Sequence, residues 1–90
     1  MSSKHIDQVL AVYKALADET RLKIALKLSH EGQCPTAVCS KSLDLTQPTI
    51  SHHMKVLLEA GVVVDIKEGT SKKYSLNTKY LKILGISLIN

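Results

Sequence analysis

The sequence predicts a mainly α fold carrying one small β-hairpin, and three observations lead there. Apolar residues recur at helical spacing along most of the 90 residues. The hydrophobic content of 44% is almost wholly aliphatic, with no Phe or Trp and only three Tyr, which suits helix-on-helix packing better than an aromatic sheet surface. One β-branched stretch, VVVDIK, leads through EGTS into the alternating segment KKYSLN, the pattern of a hairpin. A chain of this length makes a single domain, residues 1–90, with a modest core, so burying more surface by dimerisation would add stability.

Each element has its own local justification. Ile6, Val9, Leu10, Tyr13, Leu16 and Ala17 recur at steps of three and four, predicting a helix over 6–17 with Asp7 and Lys14 off its apolar face. Asp18 offers an N-cap to a second helix, with Glu19 in the first turn and Arg21 close behind. Leu22, Ile24, Ala25, Leu26 and Leu28 are apolar on more than one side of that helix, which makes it central, and His30, Glu31 and Gly32 end it. The segment QCPTAVCSKSL opens with a turn at Pro35 and continues as a short helix from about Thr36 to Leu43. Asp44 occupies the next turn, and Leu45 plugs the angle before the following helix.

That fourth helix, 47–60, is the best marked. Thr46 caps it, Pro48 falls in the first turn where its missing N–H costs little, and Gly61 closes it in a left-handed conformation. Ile50, Met54, Leu57 and Leu58 form its buried stripe, whereas Gln47, Thr49, Ser51, His52 and Lys55 project elsewhere. Such short polar groups with one cation suit base edges and phosphates better than membrane contact or catalysis. A short helix, a tight turn and a longer polar-faced helix make a helix-turn-helix, and the hairpin at 62–77 stands where a wing would reach along a DNA backbone. Lys67, Thr70, Ser71, Lys72 and Lys73 lie at its tip and flanks, although Asp65 and Glu68 dilute the charge and an ordinary solvated hairpin has the same pattern. Thr78 is read as the cap of a last helix, 78–89, apolar at Tyr80, Leu81, Ile83, Leu84, Ile86, Leu88 and Ile89. That arc is too wide for a lone surface helix. Either helix 6–17 and its equivalents in a second copy cover it across a two-fold axis, or it completes the monomer core.

Composition narrows the function classes. A formal charge of +4 permits nucleic-acid binding, and the shortage of aromatics argues against single strands, which are usually held by stacking. No apolar run approaches the about 18 residues of a membrane span, and MSSKHIDQ has no signal-peptide core, so a cytoplasmic protein is expected. The two cysteines are accordingly expected as reduced thiols. Ser51, His52 and His53 do not make a catalytic set, because neighbours on a helix point in different directions, and neither a Gly-rich phosphate loop nor a nucleophile elbow is present. No enzyme and no cofactor is expected. A protein-interaction module built on the same fold is the alternative from another class.

The stretches YKALADETRLKIALKL, LDLTQPTISHHMKVLLEAGVV and KEGTSKKYSL resemble the ArsR/SmtB family of bacterial and archaeal winged helix-turn-helix repressors, over nearly the whole chain. The resemblance implies a homodimer that binds a palindromic operator in duplex DNA and represses transcription until an effector releases it. It places Thr46, Gln47, Thr49, Ser51, His52 and Lys55 at or near the DNA, and Lys72 and Lys73 against phosphates. His53 is expected to pack against the second helix or the turn, and Arg21 to form a structural ion pair with an acidic neighbour. Metal-sensing members take ligands from a Cys-x-Cys motif in the third helix or from Asp and His pairs in the last. Here Pro35 and Ala37 stand at the cysteine positions, and the last helix has no His, Cys, Asp or Glu, so no conventional metal site is expected. Cys34, in an exposed turn, and Cys39, with His30 as a further ligand, remain candidates for a redox disulfide or a soft-metal site. Against that stands Cys39 as a small buried hydrophobe.

Overall fold

The computed structural model describes residues 2–88. The elements run α1 (Ser3–Leu16), α2 (Glu19–Glu31), β1 (Gln33–Pro35), α3 (Thr36–Ser42), α4 (Gln47–Ala60), β2 (Val63–Glu68), β3 (Ser71–Leu76) and α5 (Thr78–Ile83). Among these residues no helix is long and apolar enough to cross a membrane.

The core forms where the apolar stripes of α1, α2 and α4 meet the inner face of the sheet. Val12, Ile24, Ala25, Ile50, Met54, Leu57 and Val62 are fully buried there. Burial of each larger side chain contributes about 1.5–3 kcal/mol, more than the ~1 kcal/mol of a typical helix cap, so packing holds the helices and the caps only set their ends. α1 starts earlier than its apolar pattern implies, because the Ser2 hydroxyl accepts the His5 N–H at 3.2 Å. One flank of it is not buried: Ile6, Leu10 and Tyr13 are 51%, 47% and 54% exposed. In α2, Asp18 Oδ2 accepts the Arg21 N–H at 3.0 Å, and Ile24, Ala25 and Leu28 face the core while Leu22 and Leu26 keep an open flank.

α3 and α4 form the helix-turn-helix. Asp44 takes the left-handed conformation, φ 54°, and lets the Leu45 N–H return to the Ser40 carbonyl at 2.9 Å. The buried Ser40 hydroxyl donates in turn to the Leu45 carbonyl, so the turn is tied from both sides, and Leu45 packs against the core edge as the plug. α4 has the predicted limits. Gly61, φ 82°, closes it with N–H bonds from Gly61 to the Leu58 carbonyl and from Val62 to the Leu57 carbonyl, at 3.1 and 2.9 Å.

Two features depart from the sequence expectation. The hairpin β2–β3, turning at Gly69 and Thr70, has a third antiparallel strand, giving the order β1-β3-β2 with Cys34 opposite Tyr74 and Pro35 opposite Lys73. Pro35 is tolerated because β1 is an edge strand, where a missing N–H need not break the ladder. The last helix is also shorter than 78–89. Gly85, φ 77°, ends it, with the Ile86 N–H bonded to the Leu81 carbonyl at 2.9 Å, and Ile86 and Leu88 follow outside it; Ile89 lies beyond the described residues. Asn77, not Thr78, occupies the N-cap position, and its side chain is used elsewhere: Nδ2 donates to the Gly61 carbonyl at 3.1 Å while its backbone N–H donates to the Val62 carbonyl at 2.8 Å.

Candidate nucleic-acid interface

The burial of Ile50, Met54 and Leu57 turns the opposite side of α4 outward, and Thr46, Gln47, Thr49, Ser51, His52 and Lys55 are all exposed. They are not equivalent. Thr46 Oγ1 accepts the Thr49 N–H at 3.4 Å, and the two threonine hydroxyls are 2.8 Å apart, so this pair builds the start of the helix. Gln47, Ser51, His52 and Lys55 stand clear of the cap and present amide, hydroxyl, imidazole and ammonium groups along the surface of one rigid rod. That donor and acceptor mixture matches base edges and phosphate oxygens in a major groove, which is wide enough for a helix.

The wing lysines are arranged differently. Lys72 and Lys73 are consecutive on β3, so their side chains leave opposite faces of the ribbon. Each meets a carboxylate of β2: Lys72 Nζ lies 3.7 Å from Asp65 Oδ2 and Lys73 Nζ 3.5 Å from Glu68 Oε2, and Lys72 also sits 5.6 Å from the centre of the Tyr74 ring. Exposed pairs of this kind contribute about 0–1 kcal/mol, so a phosphate competes with them at small cost. Lys67, directly opposite Lys72 in the ladder, adds a tip cation that the family-derived set lacks; its position just before the Gly69 turn is the signal for it. The structure thus groups the α4 residues on one surface and places Lys72 and Lys73 apart from them on the hairpin.

His53 turns away from this surface. Its Nδ1 lies 3.5 Å from an Arg21 guanidinium nitrogen and 4.0 Å from Asp18 Oδ2 at the start of α2, as expected for a packed histidine. Arg21 is structural: its guanidinium donates from Nε to the Ala15 carbonyl at 2.7 Å and meets His53, and its charge acts on the acidic neighbour Asp18. The Arg21 N–H bond holds the Asp18 carboxyl below its ordinary value against an opposing effect of burial, with the nearby Arg21 charge adding to the lowering.

The thiol candidates are corrected in two respects. Cys34 is 1% exposed on β1 and not in an open turn, since its partner across the ladder is the buried Tyr74, and it is joined to Cys39 by a disulfide, where reduced thiols were expected. The bridge spans the positions just before the α3 cap and one turn inside it. That is where an apolar pair usually fixes the entry of a helix, and α3 has no side-chain cap of its own. His30 is exposed at the end of α2, and no group of three metal-binding side chains forms among the described residues.

Comparison with known proteins agrees with this geometry. The family model described as bacterial regulatory protein, arsR family, matches residues 18–64, from the α2 cap into β2. The chain is 38% identical over 71 residues to the transcriptional repressor SdpR of Bacillus subtilis, covering 79% of this chain and 78% of that protein. It is 44% identical over 69 residues to the arsenical resistance operon repressor of Escherichia coli, covering 76% and 58% respectively. The chain spans about three fifths of the length of several curated relatives that it matches. Among solved structures, the homodimeric winged helix-turn-helix DNA-binding domain Mb0332 from Mycobacterium bovis, a possible ArsR-family transcriptional regulator, aligns with a TM-score of 0.79 at 26% identity, covering 94% of this chain and 82% of that one.

Proposed function

We propose a function that proceeds from one premise: the chain belongs to the arsR family of bacterial regulatory proteins. It acts as a homodimeric transcriptional repressor in the cytoplasm, binding a palindromic operator in duplex DNA with one α4 in each of two successive major grooves. The observation that carries this reading is the exposed row Gln47, Ser51, His52 and Lys55 on a helix whose other side is locked into the core. Phosphate contacts from Lys72 and Lys73, one on each face of the wing, would hold the register without reading sequence.

Dimerisation follows from the open flank of α1. His5, Ile6, Val9, Leu10, Tyr13 and Leu84 line an apolar groove that water would otherwise cover, and a second copy of the same surface closes it across a two-fold axis. The dimer sets the distance between the two α4 helices, which must be about 34–36 Å for adjacent grooves. The neighbour Mb0332, described as homodimeric, supports this assembly.

Selection of bound duplexes from a random library tests the reading. Gln47→Ala is expected to weaken binding to the selected duplex by about 1–3 kcal/mol, with a smaller effect on unrelated DNA. A wild-type protein that binds no duplex in a salt-dependent way overturns the proposal in favour of a protein-interaction module.

The Cys34–Cys39 bridge favours a second reading, of what releases the DNA. A dithiol reductant would open it by thiol–disulfide exchange: the reductant becomes a disulfide, and the two cysteines take up two electrons and two protons. The covalent tie at the entry of α3 is then lost, next to the helix that packs on α4. Weaker binding of the selected duplex after reduction, absent in a Cys34→Ala/Cys39→Ala protein, is the expected result; equal binding in both states removes the idea.

A further inference from the structure

α4 carries two adjacent histidines with different surroundings. His52 is exposed on the outer surface, whereas the His53 side chain is only 16% exposed and is held at the start of α2. The Arg21 guanidinium that reaches His53 Nδ1 also donates to the Ala15 carbonyl in the last turn of α1. Asp18, 4.0 Å from the same Nδ1, fixes the Arg21 backbone. A single side chain therefore links the end of α1, the first turn of α2 and the middle of α4.

We propose that Asp18, Arg21 and His53 form a latch that sets the rotation of α4 about its own axis, so that His53 is a positioning residue for the DNA reading proposed above, on which this inference rests. The apolar stripe of α4 cannot do this alone. Hydrophobic contact is non-directional, so the stripe of Ile50, Met54 and Leu57 chiefly sets how deeply the helix is seated, and the Arg21 contact at the His53 nitrogen adds a directional restraint on its rotation. Side-chain tips lie about 5–6 Å from a helix axis, and a turn of about 10° moves them by roughly 1 Å. Placement to within about 0.5 Å is what a precise site needs, so a rotation of this size is enough to spoil the hydrogen bonds of Gln47 and His52 to base edges.

The chemistry of the latch gives the test. Nδ1 accepts from the Arg21 guanidinium, which places the ring proton on Nε2. Asparagine puts an acceptor oxygen near the Nδ1 position, while glutamine puts it near Nε2. Full-length wild type, His53→Ala, His53→Asn and His53→Gln are titrated with a duplex selected by the wild type from a random library and with a scrambled duplex of the same composition. His53→Ala is expected to lower the ratio of the two affinities by about tenfold or more, leaving affinity for the scrambled duplex within about twofold and its salt slope unchanged. His53→Asn should recover most of the ratio and His53→Gln should not. An unchanged ratio in His53→Ala, equal weakening on both duplexes, or equal rescue by Gln and Asn overturns the latch while leaving the DNA reading intact. If the wild type selects no duplex, the DNA reading falls and the latch with it.

Discussion

Gly61 and Gly85 offer a matched pair of substitutions that separates backbone strain from steric clash. Both end helices with left-handed backbone, at φ 82° and 77°. A Cβ at Gly85 meets nothing within 4 Å, whereas one at Gly61 lies 2.7 Å from Tyr80 Cε2 and 3.1 Å from Cδ2. Alanine at either site bears the left-handed penalty of about 1–2 kcal/mol. Only at Gly61 must the Tyr80 ring, packed against the core, also give way, which adds about 1–3 kcal/mol of overpacking. Gly85→Ala should therefore lower the unfolding free energy by about 1–2 kcal/mol and Gly61→Ala by about 2–5 kcal/mol. A domain of this size loses about 4–8 °C of Tm per kcal/mol, so thermal and urea unfolding at one fixed protein concentration resolve the difference. Combining Gly61→Ala with Tyr80→Ala in a double-mutant cycle should return the steric part as a coupling of about 1–3 kcal/mol. Equal losses at the two glycines, or no coupling to Tyr80, would refute the reasoning.

Further predictions concern the remaining surfaces. Leu10→Glu should leave the single-chain fold intact, because Leu10 is 47% exposed there, but should weaken the dimer by about 3–5 kcal/mol through an unpaired buried charge, read by sedimentation; a persistent dimer places the interface elsewhere. Lys72→Ala with Lys73→Ala should weaken selected and unrelated duplexes alike and flatten the salt slope by up to about four units, two lysines being lost from each protomer of the dimer; loss confined to the selected duplex would assign the lysines to sequence reading instead. Asp18 has a depressed value in the folded state, so its contribution to stability is complete above the ordinary carboxylate range and disappears as pH falls through the folded value. Asn remains a competent cap, so Asp18→Asn should fold yet show a shallower loss of stability on acidification; an unchanged acid limb contradicts the assignment.

What was legible in the sequence follows the distance over which each signal acts. Thr46, Pro48 and Gly61 act within one turn of α4, so its limits, capping and outward residues could be read directly. β1 could not be read this way: three residues are too few to show alternation, Pro35 suggests a turn, and the partner Lys73 lies far along the chain. The same long-range pairing buries Cys34, which local reading leaves exposed. In α5 the aliphatic pattern runs on through Ile86 and Leu88 and conceals the stop at Gly85, because apolar spacing reports burial and not the continuity of a helix. The pairing of Lys72 with Asp65 and of Lys73 with Glu68 depends on the ladder register, fixed by the two-residue turn at Gly69 and Thr70. The Arg21–His53 contact joins positions whose meeting is decided only when α2 packs on α4.

Asn77 has a mechanical consequence. By bonding the Gly61 carbonyl with its side chain and the Val62 carbonyl with its backbone, it rivets the far end of the hairpin to the exit of α4 at the very point where α5 begins. Reading helix, wing and last helix therefore share one joint. A displacement of α5 is therefore felt at the exit of α4 and at the base of the wing together, because both are bonded to the one residue that precedes it.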